Sequence, residues 1–470
     1  MNKIKGLSKR AAVFVLIFFC AMRVNAQRQP NILLITADDM GMQMGALNTP
    51  GVSTPTLDSL VSNGTFFLDA YATFPSCSPS RSSIMTSNFP HVHGVTTNVF
   101  ELLDKLSAPG RKNDLPDLNK QFAIRDSIAT LVSVLGSAGY FTGLTGKFHV
   151  PSPEKFPFNY WGKAVDAEQF FTKAKKANKP FFLNYNFHSP HRPYAKSAKS
   201  RSGPDLNELD IPAFLPVNKT MQQDWSDYLG AVEATDASVN ELFHQLKKEG
   251  LADNTIVIFI SDHGPSIHRG KYYPYPFGSA VPVIFSGPGI QKSARTKQLV
   301  SLLDIMPTVS DLLNIAAPVS VQGASLLPLL KGSHKPVNSY VCSEVSFPRN
   351  GETNYQARAM SDGRFWYVRS NGKARMDGKP EDNYEQAIWK NFSYTATIEG
   401  QTAFPQQYKL MMSSEGTPPE EELYDLHSDP WTIYNILPEA VYKNVLSNLR
   451  KQMNDWIVAT NDAQMIKTIK

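Results

Sequence analysis

Cys77 is the residue best placed to act as a nucleophile, in the run Phe74-Pro-Ser-Cys-Ser-Pro-Ser-Arg-Ser-Ser-Ile-Met-Thr86. Pro79 suits the first turn of a helix, where its missing N–H is no loss, and Ser76 or Ser78 offers a hydroxyl to cap the exposed amides. A thiol at that point meets the positive end of the helix dipole, with Arg81 one turn further on. Such a setting lowers a thiol pKa and favours an anion beside it. Four more polar clusters carry the right atoms for chemistry: Asp38-Asp39, Lys147 and His149 in Gly146-Lys-Phe-His149, His188 and His191 in Phe187-His-Ser-Pro-His-Arg-Pro193, and Asp262-His263-Gly264. Taken singly these are a turn cap, a solvated loop and a structural corner. Together, beside Cys77 and Arg81, they describe one site.

The carboxylates restrict the chemistry first. Asp38, Asp39 and Asp262 would crowd three negative charges into one pocket, which is costly unless a cation neutralises them. Hard oxygen ligands suit Ca2+, with Mg2+ second. His263 is the less expected ligand, because imidazole prefers softer metals.

The elements that must hold these residues alternate between strand and helix. Asn31–Ala37 is a short apolar run of the kind buried on both faces of a parallel sheet. Thr54-Pro55 opens a helix that stops near Asn63-Gly64, and a strand follows from Thr65 to Tyr71. The spacing then predicts helix Ser127–Gly139, strand Tyr140–Thr145, helix Ala167–Ala177, strand Pro180–Asn186, a long helix from about Met221 to Glu249, strands Thr255–Ser261 and Val281–Ser286, and helix Asp304–Asn314. Each polar cluster falls just after a strand, where open parallel sheets bind their ligands. The expected fold class is α/β, a large mostly parallel sheet sandwiched by helices. After about Leu330 the pattern changes. Runs Ser339–Val345 and Arg364–Val368, with turn signals Asp362-Gly363 and Asn371-Gly372, predict a small antiparallel sheet. An amphipathic helix around Val441–Ala459 closes the chain, with Leu446, Leu449, Met453 and Ile457 on one face.

Composition narrows the partners. The 470 residues are 42% hydrophobic and 19% charged, an ordinary globular balance. Lys3, Lys5, Lys9 and Arg10 precede the apolar run Ala11–Ala21, and Val24-Asn25-Ala26 supplies small residues for cleavage, so residues 1–26 read as a secretory signal peptide. This run is too short for a mature membrane span. Cys20 raises a lipoprotein alternative, which the bulky Phe19 argues against. The formal charge of +5 belongs to that leader: 47 basic residues less its five leave 42, against 42 acidic. No general basic field remains for nucleic acid, so an anionic substrate must be held by local charges. The expectation is an exported protein, periplasmic or secreted, in a bacterium.

From Asn31 to about Gly289 the chain resembles the type I, formylglycine-dependent sulfatases of the alkaline phosphatase superfamily. Cys77-Ser-Pro-Ser-Arg81 resembles the signature at which their cysteine is oxidised to formylglycine (3-oxoalanine) by a formylglycine-generating enzyme. The leader and the change of pattern after about Leu330 divide the chain into a catalytic domain over residues 27–330 and a smaller C-terminal subdomain over 331–470, and the resemblance implies a Ca2+ site at Asp38, Asp39, Cys77, Asp262 and His263. It implies that Arg81 holds the hydrated aldehyde and that Lys147 and Lys271 grip sulfate oxygens. His188 would protonate the leaving group and His149 would take the proton that regenerates the aldehyde. His191 would line the substrate pocket or brace its loop, and Arg192 would line the pocket. Glu422-Leu-Tyr-Asp-Leu-His-Ser-Asp-Pro430 resembles a turn of the same family, read as a structural lock between the two parts. The motifs are nearest those of the N-sulfoglucosamine sulfohydrolase branch, but the chain after Arg192 and the region Asn98–Gln121 depart from it. The expected activity is therefore hydrolysis of sulfate esters on a saccharide from ulvan or a glycosaminoglycan. An N-sulfatase acting on heparan is the alternative, and a phosphoesterase of the same superfamily a distant one.

Overall fold

A computed structural model describes residues 29–99, 122–162, 167–194, 203–349, 352–372 and 392–468. The leader at 1–26 and most of the Asn98–Gln121 region lie outside the described residues. In chain order the strands are β1 (Asn31–Ala37), β2 (Gly64–Phe67), β3 (Ala70–Tyr71), β4 (Phe141–Gly146), β5 (Tyr160–Gly162), β6 (Phe181–Asn186), β7 (Thr255–Ser261), β8 (Val283–Ser286), β9 (Ala294–Thr296), β10 (Val300–Ser301), β11 (Val341–Arg349), β12 (Glu352–Ser361), β13 (Phe365–Ser370) and β14 (Glu421–Asp425). Eight of them form one sheet in the order β5-β4-β6-β1-β7-β8-β2-β9. Its strands run parallel except at β8, which is antiparallel to both β7 and β2.

The sheet is covered on both faces, and β1 shows why the run Ile32–Ile35 is apolar. Leu33 and Ile35 point into one core with Trp225, Tyr228 and Val232 of the helix Lys219–Lys248. Ile32 and Leu34 point into the other, with Ile84 and Met85 of the helix Cys77–Thr86 and with Leu131, Leu135 and Met306. Side chains alternate across a strand, so a strand buried on both faces is apolar along consecutive positions.

Several boundaries differ from the sequence expectation for identifiable reasons. The run Thr65–Tyr71 divides because the chain changes partner: β2 pairs with β8 and β9, whereas β3 pairs with β10 in a separate two-stranded sheet. The helix expected from Ser127 begins at Leu131, where Thr130 and Ser133 form a reciprocal capping box. The helix expected over Asp304–Asn314 spans Ile305–Leu312, behind a 3-10 turn at Leu302–Asp304. The strand expected from Val281 begins at Val283, since the Val281 amide is given to the Ala70 carbonyl.

The C-terminal sheet is antiparallel, in the order β11-β12-β13-β14, and the Asp362-Gly363 turn joins β12 to β13. Residues 373–391, directly after Asn371-Gly372, lie outside the described ones. The helix Lys443–Ala459 buries Leu446, Leu449, Met453 and Ile457 against Cys342, Met360 and Tyr367. Beneath it, fully buried Arg358 donates from Nε to Asp462 at 2.7 Å and lies 3.9 Å from Glu344. Removing one partner of a buried ion pair leaves the other charge uncompensated. Arg358→Met is therefore expected to cost roughly 3–5 kcal/mol of stability, seen as a lowered denaturation midpoint; an unchanged midpoint contradicts this account. Cys77 and Cys342 are both free and buried. Among the described residues no helix is long and apolar enough to cross a membrane.

Candidate active site

Strand register assembles the site. β1 pairs with β6 through Thr36 and Asn186, β6 with β4 through Asn186 and Gly146, and β1 with β7 through Ala37 and Ser261. One row across the carboxyl edge of the sheet thus releases Asp38-Asp39, Lys147, the His188 loop and Asp262-His263 side by side. Gly146 permits this close approach: it has φ 78°, and a Cβ there would lie 1.8 Å from the Asn186 carbonyl oxygen. Asp39 is also left-handed, at φ 65°, and its amide donates to Asp262 Oδ1 at 3.1 Å. That turn points both aspartates into one space.

The helix Cys77–Thr86 delivers Cys77 and Arg81 into the same space. Neither Ser76 nor Ser78 caps it as the sequence suggested. Ser76 makes no side-chain cap bond, and Ser78 Oγ instead meets the Val99 backbone, accepting from its amide at 3.1 Å. The first-turn amide of Ser78 is taken by Asn98 Oδ1 at 2.9 Å, from a segment remote in sequence.

The geometry around Cys77 is dense. Its Sγ lies 3.2 Å from Lys271 Nζ, 3.6 Å from Lys147 Nζ, 3.3 Å from His263 Nε2 and 3.7 Å from Asp38 Oδ1. Lys147 Nζ donates to Asp38 Oδ2 at 2.7 Å, and Lys271 Nζ to Asp39 Oδ1 at 2.9 Å. Arg81 spans four groups: Nε to Asp262 Oδ2 at 2.9 Å, Nη1 to Asn186 Oδ1 at 3.0 Å and to the Lys147 carbonyl at 3.4 Å, and Nη2 to Asp38 Oδ1 at 3.3 Å. All these side chains are buried.

Burial and charge compete at each group. Burial pushes the Cys77 thiol up, but the Lys147 and Lys271 ammoniums bring it down to about 6. Against the same burial, Lys147, then His191 and Arg81, hold Asp38 well below the usual carboxylate range. Asp39 is lowered to about 2, burial opposing and His191 and Lys271 prevailing. At Asp262 burial wins over the pull of His263 and Arg81. His263 moves upward, because Asp262 and Asp39 outweigh its desolvation.

Asp38, Asp39 and Asp262 do not stand as bare charges, contrary to the electrostatic argument made for them from sequence. Lys147, Lys271 and Arg81 already partner all three. The donor set nevertheless fits a divalent cation. One ligand atom each from Asp38, Cys77, Asp262 and His263 lies within 4.8 Å of the others, and Asp39, Cys77 and His191 form a second such group. The carboxylate oxygens are the hard-ion donors of this set, and His263 and Cys77 are its softer members.

The remaining candidates fall at graded distances. Lys271, whose loop has little motif of its own, sits at the centre. His191 Nε2 lies 3.8 Å from Asp39 Oδ2, on the rim of the same cluster. Arg192 is turned away into a brace: it donates from Nη1 and Nη2 to the two oxygens of Asp224 at 2.5 Å and from Nε to the Ser266 carbonyl at 2.9 Å. Three of its N–H groups thus tie its loop to the helix Lys219–Lys248 and to the loop at Ser266. His188 is exposed at the mouth of its loop, and its carbonyl accepts from the His191 amide at 3.0 Å. His149, at φ 46°, is half-buried with Nε2 against the Val99 carbonyl. Asn186 and Asn98 were missed from sequence. Asn186 reads as an ordinary strand residue, and nothing local marks Asn98. The turn at Glu422–Pro430 contributes support, because Glu422 accepts from Tyr275 at 3.2 Å and so ties β14 to the loop carrying Lys271.

Known proteins share this arrangement of elements. The Sulfatase family model matches residues 30–315. The chain is 27% identical over 481 aligned positions to the N-sulphoglucosamine sulphohydrolase of Homo sapiens, spanning 93% of this chain and 91% of that one. It is 26% identical over 457 positions to an ulvan-active sulfatase of Formosa agariphila, spanning 92% and 81%. Among solved structures, that of a 2-O GAG sulfatase shares the fold with a TM-score of 0.66 at 20% identity, over 94% of both chains.

Proposed function

The chain belongs to the sulfatase family and is a sulfuric ester hydrolase, and on that premise we propose that it desulfates a saccharide released from a sulfated polysaccharide, at Cys77 after its oxidation to formylglycine. The observation that carries this reading is the position of Cys77 Sγ, 3.2 Å from Lys271 Nζ and 3.6 Å from Lys147 Nζ. Two ammoniums flanking one nucleophilic atom form a cradle for the oxygens of a tetrahedral anion as charge builds on them.

Each neighbour then has a task. Arg81, anchored on Asp262 and Asn186, orients the group at position 77. Asp38, Asp39, Asp262 and His263 would hold a divalent ion, Ca2+ before Mg2+ given their oxygens. When bound, such an ion supplies Lewis acidity toward a sulfate oxygen. His188, exposed in the loop after β6, gives its proton to the sugar oxygen, and His149 accepts the proton released when sulfate is expelled. Ulvan and glycosaminoglycan saccharides are the substrate classes, by likeness to the ulvan-active and 2-O GAG sulfatases. An N-sulfated glucosamine end is the second reading, favoured by the human sulphohydrolase at 27% identity. Maturation would require a formylglycine-generating enzyme. The leader would direct the protein out of the cytoplasm, with residues 27–330 catalytic and 331–470 a supporting subdomain.

The test is a mass spectrum of the Cys77 peptide together with sulfate release from matched O- and N-sulfated saccharides. The expected result is an aldehyde at position 77 and release from an O-sulfated sugar. Release from N-sulfated glucosamine alone transfers the conclusion to the second reading. A fully active protein with an unmodified thiol overturns the mechanism.

The ion has its own expected outcome. Chelation lowers both activity and melting temperature, and Ca2+ restores both better than Zn2+, since a ligand bound only by the native state stabilises it. A chelator without effect on either removes the metal from the account.

A further inference from the structure

We propose that Asn98 is a positioning residue that sets the separation between Cys77 and Lys271, an inference resting on the sulfatase reading above. Its side chain touches the residue after each of them. Asn98 Oδ1 accepts the Ser78 amide at 2.9 Å, and Asn98 Nδ2 donates to Tyr272 Oη at 2.6 Å. Ser78 is the second residue of the nucleophile helix, and its amide is one of those left without an intrahelical partner. Ser76, the residue placed to cap it, makes no side-chain cap bond. One planar amide thus closes the open end of the helix and grips the neighbouring loop.

Tyr272 needs such a grip. Its φ is 71°, a conformation a bulky residue keeps only when its surroundings impose it. Two contacts impose it: the Tyr272 amide donates to the Pro75 carbonyl at 2.7 Å, and the hydroxyl meets Asn98. The ring also lies under the preceding side chain, with Lys271 Nζ 5.8 Å from its centroid. Lys271 therefore leaves a backbone whose direction is fixed at the next residue, and its ammonium reaches Cys77 Sγ at 3.2 Å and Asp39 at 2.9 Å. Asn98 is itself held, because the following amide of Val99 donates to Ser78 Oγ at 3.1 Å. Beside the backbone tie from Tyr272 to Pro75, a side-chain path runs from nucleophile to sulfate-binding ammonium through Cys77, Ser78, Asn98, Tyr272 and Lys271. Its middle link is one side chain.

The experiment is a double-mutant cycle on turnover of a sulfated saccharide by the aldehyde-bearing enzyme. Asn98→Ala is expected to lower kcat about 10- to 100-fold, the scale for a catalytic group displaced by about 1 Å, with little change in KM. Tyr272→Phe, which deletes the other end of the bridge and a single oxygen, lowers kcat in the same direction and keeps the test open should Asn98→Ala fold poorly. Asn98→Asp can accept from both the Ser78 amide and the Tyr272 hydroxyl, and is expected to regain most of the loss. In a Lys271→Ala background, Asn98→Ala should cost almost nothing further. Full multiplication of the two losses, or unchanged kcat in both Asn98→Ala and Tyr272→Phe, overturns the proposal while leaving the sulfatase reading intact. A wild-type enzyme, aldehyde present, that releases no sulfate from any saccharide overturns both.

Discussion

Cys77→Ala is expected to give a folded protein with no measurable sulfate release. Cys77 is the first residue of its helix, and the small change to alanine leaves the Asn98 bond to Ser78 and the Arg81 contacts in place. The change deletes the atom toward which Lys147, Lys271 and His263 all point. Losing a nucleophile with no alternative in reach removes the covalent route entirely, whereas the surrounding ammoniums can still bind sulfate. The variant should therefore retain product binding, visible as a melting shift with sulfate, while turnover falls to background. Cys77→Ser should recover activity only in a host whose converting enzyme accepts serine. Turnover by Cys77→Ala at the native rate contradicts the mechanism.

The second large effect separates two histidines. His188 is exposed in the loop after β6, and His149 is half-buried two residues after Lys147. If His188 is the acid for the departing group, its removal matters in proportion to how poor that group is. A sugar hydroxyl is poor, and a nitrophenolate leaves without much help. His188→Ala should lower turnover of a sulfated sugar by roughly 10²–10⁴-fold, the range for a lost general acid, and lose far less on an aryl sulfate. His149→Ala should slow both substrates alike and let the sulfated enzyme accumulate, seen as added mass on the Cys77 peptide. Equal losses on the two substrates in His188→Ala, or a trapped adduct in that variant, reverses the two assignments.

Much of the site was legible before any coordinates. Asp38, Lys147, His188 and Asp262 each come just after an apolar run, and parallel strands deliver the residues at their carboxyl ends to one edge of the sheet. That edge is where the structure brings Asp38, Lys147 and Asp262 together. The C-terminal helix was equally legible, because Leu446, Leu449, Met453 and Ile457 repeat at helical spacing. Strand partnering was not. The Thr65–Tyr71 run carries one pattern throughout, yet its two halves join different sheets. Side-chain periodicity reports which face is buried, never which strand lies alongside.

The succession of strands along the chain, the residues at their ends and the nucleophile's helix are thus determined by the sequence itself, through local pattern and turn chemistry. Only the tertiary structure decided how the charges pair. Lys271 and Arg192 are both basic residues in polar loops, and one lies 3.2 Å from Cys77 while the other is spent on Asp224. Local sequence could not separate them, because each position depends on a loop anchored from elsewhere: Lys271 by Tyr275 on Glu422, and Arg192 by Asp224 of a later helix. The carboxylates tell the same story. Aspartates at the ends of two strands called for a cation, and the fold supplies Arg81, Lys147 and Lys271 from three separate segments. Coulomb interactions act over a few ångströms of space rather than along the chain, so charge balance is settled when the strands align.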